Sequence, residues 1–209
     1  MKLFGQAARA TEQAVVEACQ VTVLFADLEG FSAMAERLPP HEVVAVLNES
    51  FTVMADEVFR EGGSVDKYIG DAMMVVWATS DPAAADEAAR AAARAALRMV
   101  AALEALQVER LNQGKRPVKV RIGISSGEAI IGEIGCPARR DRTVIGDPVN
   151  LACRLEELNK TFHTDILVSG ATRGRLAAGF EVRDLGQVAI KGRRESVAVF
   201  ALVGSTART

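Results

Sequence analysis

Two aspartates and one helix carry the residue types with which this chain could do chemistry. Asp27 lies in FADLEGFS and Asp71 in DKYIGDAMMVVW, while the segment VNLACR supplies Asn150 and Arg154. Because Mg²⁺ binds few protein carboxylates and fills the rest of its shell with water and phosphate oxygens, two aspartates at strand ends suit a pair of such ions. Arg154 follows Asn150 by one helical turn, so a planar cation and a neutral amide share one face. Together these residues indicate phosphoryl transfer on a nucleotide.

The segments that position Asp27 are a strand and two helices. VTVLFA at residues 21–26 is a continuous apolar, β-branched run, which is typical of a strand buried on both faces. A turn follows, and Ser32 is the expected N-cap of a short helix. Apolar residues at helical spacing then predict a longer helix over residues 41–59.

Asp71 is expected at the exposed tip of a β-hairpin. The strands SVDKYI and AMMVVWA flank Gly70 and Asp71, and a Gly-Asp pair between two strands is a hairpin signal. A long helix is predicted from about residue 82 to residue 111, where charged residues interrupt a run of alanines. That pattern indicates a helix on the surface of the domain.

The second half of the chain predicts more strands around a third helix. VKVRIGISSG and EAIIGEIG are expected to form two strands on either side of Gly127, followed by a strand over residues 142–145. Asp147 as N-cap and Pro148 in the first turn open the helix that contains VNLACR. A strand, a short helix and two closing strands complete the chain. This order predicts an α+β fold, a sandwich with a ferredoxin-like βαββαβ core and additional C-terminal strands.

The composition of the chain limits the kinds of partner that we expect. A chain of 209 residues with 49% hydrophobic side chains can bury one core, and a net charge of −2 gives no electrostatic case for nucleic acid or an anionic membrane. No apolar stretch is long enough to cross a bilayer. The three cysteines lie far apart without metal-ligand spacing, which suits a reducing compartment. We therefore expect a cytoplasmic protein without a nucleic-acid or membrane partner.

Five motifs now support a resemblance to a known family. FADLEGFS, DKYIGDAMM, VRIGISSGEAIIGEIG, TVIGDPVNLACR and a late Lys191-Gly192 occur in the order found in the class III nucleotidyl cyclase catalytic domain, which this chain resembles from about Val21 to Val203. The resemblance implies a catalytic domain over residues 20–204, a helical lead-in or linker over 1–19 and a tail over 205–209.

The resemblance implies a metal and phosphate half of the site. Asp27 and Asp71 match the family's metal-binding aspartates, and the carbonyl of Leu28 matches a backbone metal ligand. Two Mg²⁺ or Mn²⁺ ions per active site are then expected. The turn amides near Phe31 and Ser32 match a cradle for phosphates at a helix N-terminus.

The resemblance also implies a second half of the site, which binds the ribose and the reacting phosphorus. Asn150 matches the residue that orients the ribose, and Arg154 matches the arginine that stabilises charge on the α-phosphoryl group. Lys191 matches a lysine on the terminal phosphates, where Arg121 is expected to assist. The implied reaction is in-line attack of the 3′-oxygen on the α-phosphorus, giving a 3′,5′-cyclic nucleotide and pyrophosphate.

Lys67 and Thr143 match the family's two purine-recognising positions. A lysine donates to N1 of adenine but meets an N1–H donor in guanine, so ATP is the favoured substrate. The threonine oxygen can accept from the adenine amino group, yet its hydroxyl can also donate to the guanine carbonyl. Guanylyl cyclase activity therefore remains the alternative within the family.

The resemblance also implies a homodimer with two composite sites. In the family, a head-to-tail pair places both active sites in the interface. One chain supplies Asp27 and Asp71, and its partner supplies the other set: Lys67, Thr143, Asn150, Arg154 and Lys191. One chain carrying both sets predicts two equivalent sites.

Other interpretations stay open. Asp27 as a helix cap and Asp71 as ordinary turn chemistry are structural alternatives. A catalytically silent nucleotide-binding dimerisation domain is the functional alternative, disfavoured by the retention of the complete residue set. The resemblance suggests an upstream sensor domain and a response to bicarbonate as forms of regulation, and no residue tests either.

Overall fold

One mixed sheet with helices on both faces forms the domain. The computed structural model describes residues 17–136 and 138–206. The helices and strands are β1 (Glu17–Glu29), α1 (Phe31–Ala35), α2 (Pro40–Arg60), β2 (Ser64–Ile69), β3 (Ala72–Thr79), α3 (Ala85–Asn112), β4 (Lys119–Cys136), β5 (Arg139–Ile145), α4 (Asp147–Phe162), β6 (Ile166–Ser169), α5 (Gly170–Arg175), β7 (Phe180–Val188) and β8 (Val197–Ser205).

The eight strands form one sheet. Seven of them lie in the order β2-β3-β1-β4-β6-β8-β7, β5 pairs with β4, and the β4–β6 pair is parallel. This is the α+β arrangement that the sequence predicts.

Alternation along β1 divides the core into two layers. Leu24 and Leu28 pack in the main cluster with buried side chains of α2 and α3. Val23 and Phe25 face the other side, in a cluster that includes Ala152 of α4. Because successive strand residues point to opposite faces, a strand covered on both sides must be apolar throughout. The uninterrupted VTVLFA run meets that requirement.

Gly123 lets α4 lie directly on β4. A Cβ atom at this position would stand 2.1 Å from the Ala152 carbonyl oxygen and 2.3 Å from the Glu156 amide nitrogen. Only a glycine leaves room for this approach of helix to strand. The contact fixes the depth of α4, the helix that carries Asn150 and Arg154.

β4 is one strand where the sequence predicts two. It continues through Gly127 for 18 residues, because β1 supplies an unbroken partner from Lys119 to Ile131 and pairs Val21 with Gly127. A Cβ atom on Gly127 would lie 2.9 Å from Pro148. The glycine therefore makes room for α4 and marks no turn.

Both predicted side-chain caps are wrong. α1 follows Gly30, whose φ of 71° suits glycine, and Ser32 lies inside the helix. α4 follows Gly146 and begins at Asp147, whose side chain makes no capping hydrogen bond. The Asp147 carboxylate instead accepts two hydrogen bonds of 2.7 Å from Arg193.

The chain ends also differ from expectation. Residues 17–19 are the start of β1, paired with Ala129 to Ile131 of β4, because the sheet offers them a strand partner where the sequence predicts a helical lead-in. Residues 1–16 of that lead-in lie outside the described residues. β8 extends to Ser205, the first residue of the expected tail, and residues 207–209 are again outside. Within the described ranges, no helix has the length and apolarity needed to cross a membrane.

Replacing Gly123 with alanine should destabilise the fold. The added methyl group meets backbone atoms that cannot rotate away, so we expect a loss of about 2 kcal/mol or more in the free energy of unfolding, measured with urea. Gly174→Ala is the matched control, since its Cβ would have no heavy atom within 4 Å. Equal stability of the two variants would show that α4 does not rest on this glycine.

Candidate active site

Backbone pairing brings Asp27 and Asp71 side by side. Asp27 lies on β1 opposite Ala72 of β3 on one side and Arg121 of β4 on the other. Asp71 directly precedes Ala72, and its carbonyl accepts a 3.4 Å hydrogen bond from the Leu28 amide. This contact draws the turn back onto β1, so Asp71 is partly buried and not at an exposed tip as predicted.

The two carboxylates favour a cation between them. Burial raises the pKa of Asp27 above its ordinary value, the hydrogen bond from Arg121 opposes that rise, and the charge of Asp71 adds to it. A divalent ion would relieve both the burial and the repulsion. Within residues 17–136 and 138–206, no group of three or more His, Cys, Asp or Glu side chains could hold a metal. Two carboxylates are few for a site made of protein ligands alone, but they match the donor set of Mg²⁺, which takes further oxygens from phosphate and water.

Arg121 links this pair to α4. Its guanidinium donates to Asp27 Oδ2 at 2.7 Å and to Glu156 Oε1 at 3.1 Å. The sequence predicts Arg121 near the terminal phosphates, and here two carboxylates hold it beside the aspartate pair. The sequence motifs do not include Glu156. Its position two residues beyond Arg154 is the available signal, because it places an acidic residue on the opposite side of that helix.

Glu156 is a buried acid next to other charges. Its side chain is among the few charged ones in the core. Burial raises the pKa of Glu156 from 4.5 to about 7, the charge of Asp27 adds to the rise, and Arg121 opposes it. The group therefore titrates near neutral pH, and its charge controls how strongly Arg121 is held.

A second group of predicted residues lines a separate cavity. Asn150 and Arg154 of α4 and Lys191 of the β7–β8 connection share a cavity of about 330 Å³. Arg154 donates to both oxygens of Glu157 at 2.9 and 2.8 Å. The Arg193–Asp147 ion pair, which the sequence does not reveal, ties the loop of Lys191 to the start of α4.

The purine-recognising candidates meet at a third place. The Thr143 hydroxyl donates to Asp66 Oδ1 at 2.9 Å, and Lys67 Nζ lies 3.3 Å from the same oxygen. Asp66 was not singled out by the sequence, since an aspartate beside a lysine on a strand has no distinctive pattern.

The remaining predicted positions lie at the start of α1. Phe31 is buried in the main core and Ser32 is exposed. Their amides belong to the first turn of the helix, where N–H groups have no acceptor within the helix.

The cavity of Asn150, Arg154 and Lys191 is lined by neither Asp27 nor Asp71. Among the described residues, no hydrogen bond or ion pair connects Asp27 or Asp71 with Asn150, Arg154 or Lys191. Glu156 lies about 200° around α4 from Arg154, because each residue advances about 100°. Since Glu156 faces the sheet, Arg154 faces away from it.

Comparisons with known proteins show the family to which the fold belongs. The family described as adenylate and guanylate cyclase catalytic domain matches residues 14–204. Adenylate cyclase 1 of Rhizobium meliloti is 34% identical over 185 residues, which are 88% of this chain and 28% of that protein. Adenylate cyclase of Anabaena cylindrica is 34% identical over 188 residues, 87% of this chain and 36% of that protein. This chain thus spans about a third of these relatives.

Solved structures extend the comparison. The adenylyl cyclase CyaB from P. aeruginosa superposes with a TM-score of 0.84 at 31% identity, covering 91% of this chain and 97% of that one. The guanylyl cyclase Cya2 superposes with a TM-score of 0.78 at 32% identity, covering 90% and 94%.

The titration of Glu156 should be visible in stability. The folded chain binds this proton more tightly than the unfolded chain, so the contribution of the group is complete below pH 4.5 and is lost as the pH rises through about 7. Glu156→Gln should remove that loss. The unfolding free energy of the variant minus that of the wild type should therefore increase with pH across this window, by at most about 3 kcal/mol.

Chemical denaturation at a series of pH values measures this difference. Glu104→Gln, at an exposed position of α3, is the matched control, because it makes the same change outside the contacts of Arg121. A constant difference for Glu156→Gln would contradict the assignment of a raised pKa.

Proposed function

This chain belongs to the adenylate and guanylate cyclase catalytic domain family, and from that premise we propose that it converts ATP into 3′,5′-cyclic AMP and pyrophosphate. The observation that carries the proposal is the division of its functional side chains. A carboxylate pair stands at one place in the fold, and a cationic cavity stands at another. Each is half of a nucleotide site.

The carboxylate half would hold two Mg²⁺ or Mn²⁺ ions through Asp27, Asp71 and the Leu28 carbonyl. When bound, such ions make the 3′-hydroxyl easier to deprotonate and neutralise phosphate charge. When Asp27 binds a metal ion, Arg121 would remain beside the ions because Glu156 still accepts its hydrogen bond. The first-turn amides of Phe31 and Ser32 in α1 would bind phosphate oxygens on this side.

The cationic half would bind the ribose and the reacting phosphorus. Asn150 would orient the ribose, and Lys191 would neutralise the terminal phosphates. Arg154 would stabilise the charge that builds on the α-phosphoryl oxygens as the 3′-oxygen bonds to phosphorus and the bond to pyrophosphate breaks. Its present partner Glu157 is an exposed neighbour on the same helix, and such pairs are weak enough to exchange for a phosphate.

Two copies of the chain would complete each site. A contact surface is supported at the end of β2 and along the paired part of β4 and β5 that starts at Ile130 and Ile145, here called the β4–β5 arm. These segments carry large apolar side chains that are 43% to 51% exposed, namely Tyr68, Ile69, Ile130, Ile134 and Ile145. The same two elements carry Lys67 and Thr143. A two-fold pair would place both elements against the partner twice and yield two equivalent sites.

ATP is the proposed substrate because Lys67 can donate to N1 of adenine. The likeness to the guanylyl cyclase Cya2 at 32% identity keeps GTP as the competing substrate. We also propose a cytoplasmic location, where the free thiols of Cys19, Cys136 and Cys153 stay reduced.

Cyclic nucleotide formation tests the activity. Purified protein with ATP and Mg²⁺ or Mn²⁺ should form cyclic AMP, and chelation with EDTA should abolish it. Asp27→Asn should lower the rate by about a hundredfold or more, because it removes a charged metal ligand. ATP binding without product would favour a silent nucleotide-binding domain, and product from GTP alone would favour a guanylyl cyclase.

Mixing two inactive variants should restore activity if the sites are shared. Asp27→Ala and Arg154→Ala damage opposite halves, so a mixed pair keeps one intact site. Random exchange of subunits should return about a quarter of the wild-type rate, since half of the pairs are mixed and each has one good site.

The control is a mixture of Asp27→Ala with Asp71→Ala. Both damage the same half, so no pairing creates an intact site and activity should stay lost. A first mixture that is as inactive as its parts, despite measured subunit exchange, would contradict the shared site.

A further inference from the structure

Asp66 connects the two residues expected to recognise the purine. Its Oδ1 accepts the hydroxyl of Thr143 at 2.9 Å and lies 3.3 Å from Lys67 Nζ. We propose that Asp66 is a specificity-determining positioning residue, which makes Thr143 an acceptor toward the base and so selects adenine over guanine. The inference rests on the proposed function, because it assigns a role within that same site.

A β-bulge in β2 makes the arrangement possible. Val65 pairs with Val75 and Lys67 with Met74, so Asp66 is the extra residue without a partner on β3. In a regular strand, Asp66 and Lys67 would point to opposite faces. The bulge redirects Asp66, which lets one carboxylate serve both Lys67 and a threonine on β5.

The contact is built into the fold. The Asp66 side chain is only 8% exposed, whereas that of Lys67 is 39% exposed. The carboxylate is therefore held in the protein while the ammonium group reaches solvent. The contact also joins β2, at one edge of the sheet, to β5 on the β4–β5 arm, although 77 positions separate the two residues.

The hydrogen bond fixes the polarity of Thr143. A hydroxyl has one proton and two lone pairs, and a carboxylate only accepts. With its proton given to Asp66, Thr143 has only lone pairs left for a ligand. The ambiguity of a threonine, which can in principle accept from one base or donate to another, is thereby removed.

The purine edges respond to that polarity in opposite ways. Adenine presents an amino donor at its 6-position, and guanine presents a carbonyl acceptor there. An acceptor-only Thr143 pairs with the first and repels the second. Lys67 adds the same preference at N1, and with three N–H donors it can contact Asp66 and the base together.

Asp66→Asn tests the inference with little change in shape. An asparagine can donate its amide to Thr143, which frees the hydroxyl proton for a guanine carbonyl. We expect the preference for ATP over GTP, measured as the ratio of kcat/KM values, to fall about tenfold. The same fall should appear in the ratio of dissociation constants for the non-reactive α,β-methylene analogues of ATP and GTP.

Three further variants sharpen the result. Thr143→Val removes the acceptor and should lower the ratio to a similar degree. The double variant Asp66→Asn with Thr143→Val should fall no further, because both changes act through one hydroxyl. Ser64→Ala, at an exposed position on the same strand, should leave the ratio unchanged.

The outcomes separate the inference from the proposed function. Equal losses of kcat/KM for both nucleotides in Asp66→Asn, with the ratio unchanged, would show that Asp66 only supports the strand and would overturn the inference. If the wild type bound nucleotide without forming product, the catalytic proposal would fail. The analogue ratio would still support or overturn the role of Asp66.

Discussion

Backbone pairing on both sides of β1 is the constraint from which the site follows. It sets Asp27 between Asp71 and Arg121, and Arg121 in turn reaches Glu156 on α4. With Glu156 held against the sheet, the opposite side of α4 must face outward. That side carries Arg154. Asp27 thus takes part, through Arg121 and Glu156, in orienting the helix that turns Arg154 away from the carboxylates.

Under the proposed function, this division would make a second copy part of the chemistry. In the single chain, the charged groups of each half are paired within that half: Asp27 with Arg121, and Arg154 with Glu157. Nucleotide and ions would supply the charges that draw the halves together. The exposed apolar residues near Lys67 and Thr143 would place the proposed contact surface beside the two proposed base-recognising residues. Assembly and substrate selection would thus depend on the same elements.

Short sequence patterns correctly predict the elements whose conformation depends on neighbouring residues. The apolar run of β1, the Gly-Asp hairpin and the helical spacing of α2 all appear as expected. One error is local, since Gly30 and not Ser32 precedes α1, whereas two others arise where a residue distant in sequence determines the structure. Gly127 continues a strand because β1 lies beside it, and the Asp147 carboxylate does not cap α4 but accepts hydrogen bonds from Arg193, 46 positions away.

The candidate site shows the same limit. Sequence motifs placed Asp27, Asp71 and the α4 residues on the correct elements, but contacts across the sheet added Glu156 and Asp66. Asp27 meets Arg121 across 94 positions of the chain. Such pairs depend on strand register and on a bulge, which no short segment encodes by itself.

A crystal structure with Mn²⁺ and a non-reactive ATP analogue would test the central claim most directly. Anomalous scattering should show manganese at Asp27 and Asp71 of one chain, with the base at Lys67 and the α-phosphate at Arg154 of the other. Nucleotide bound by a single chain, or no metal at the two aspartates, would contradict a site shared between two copies.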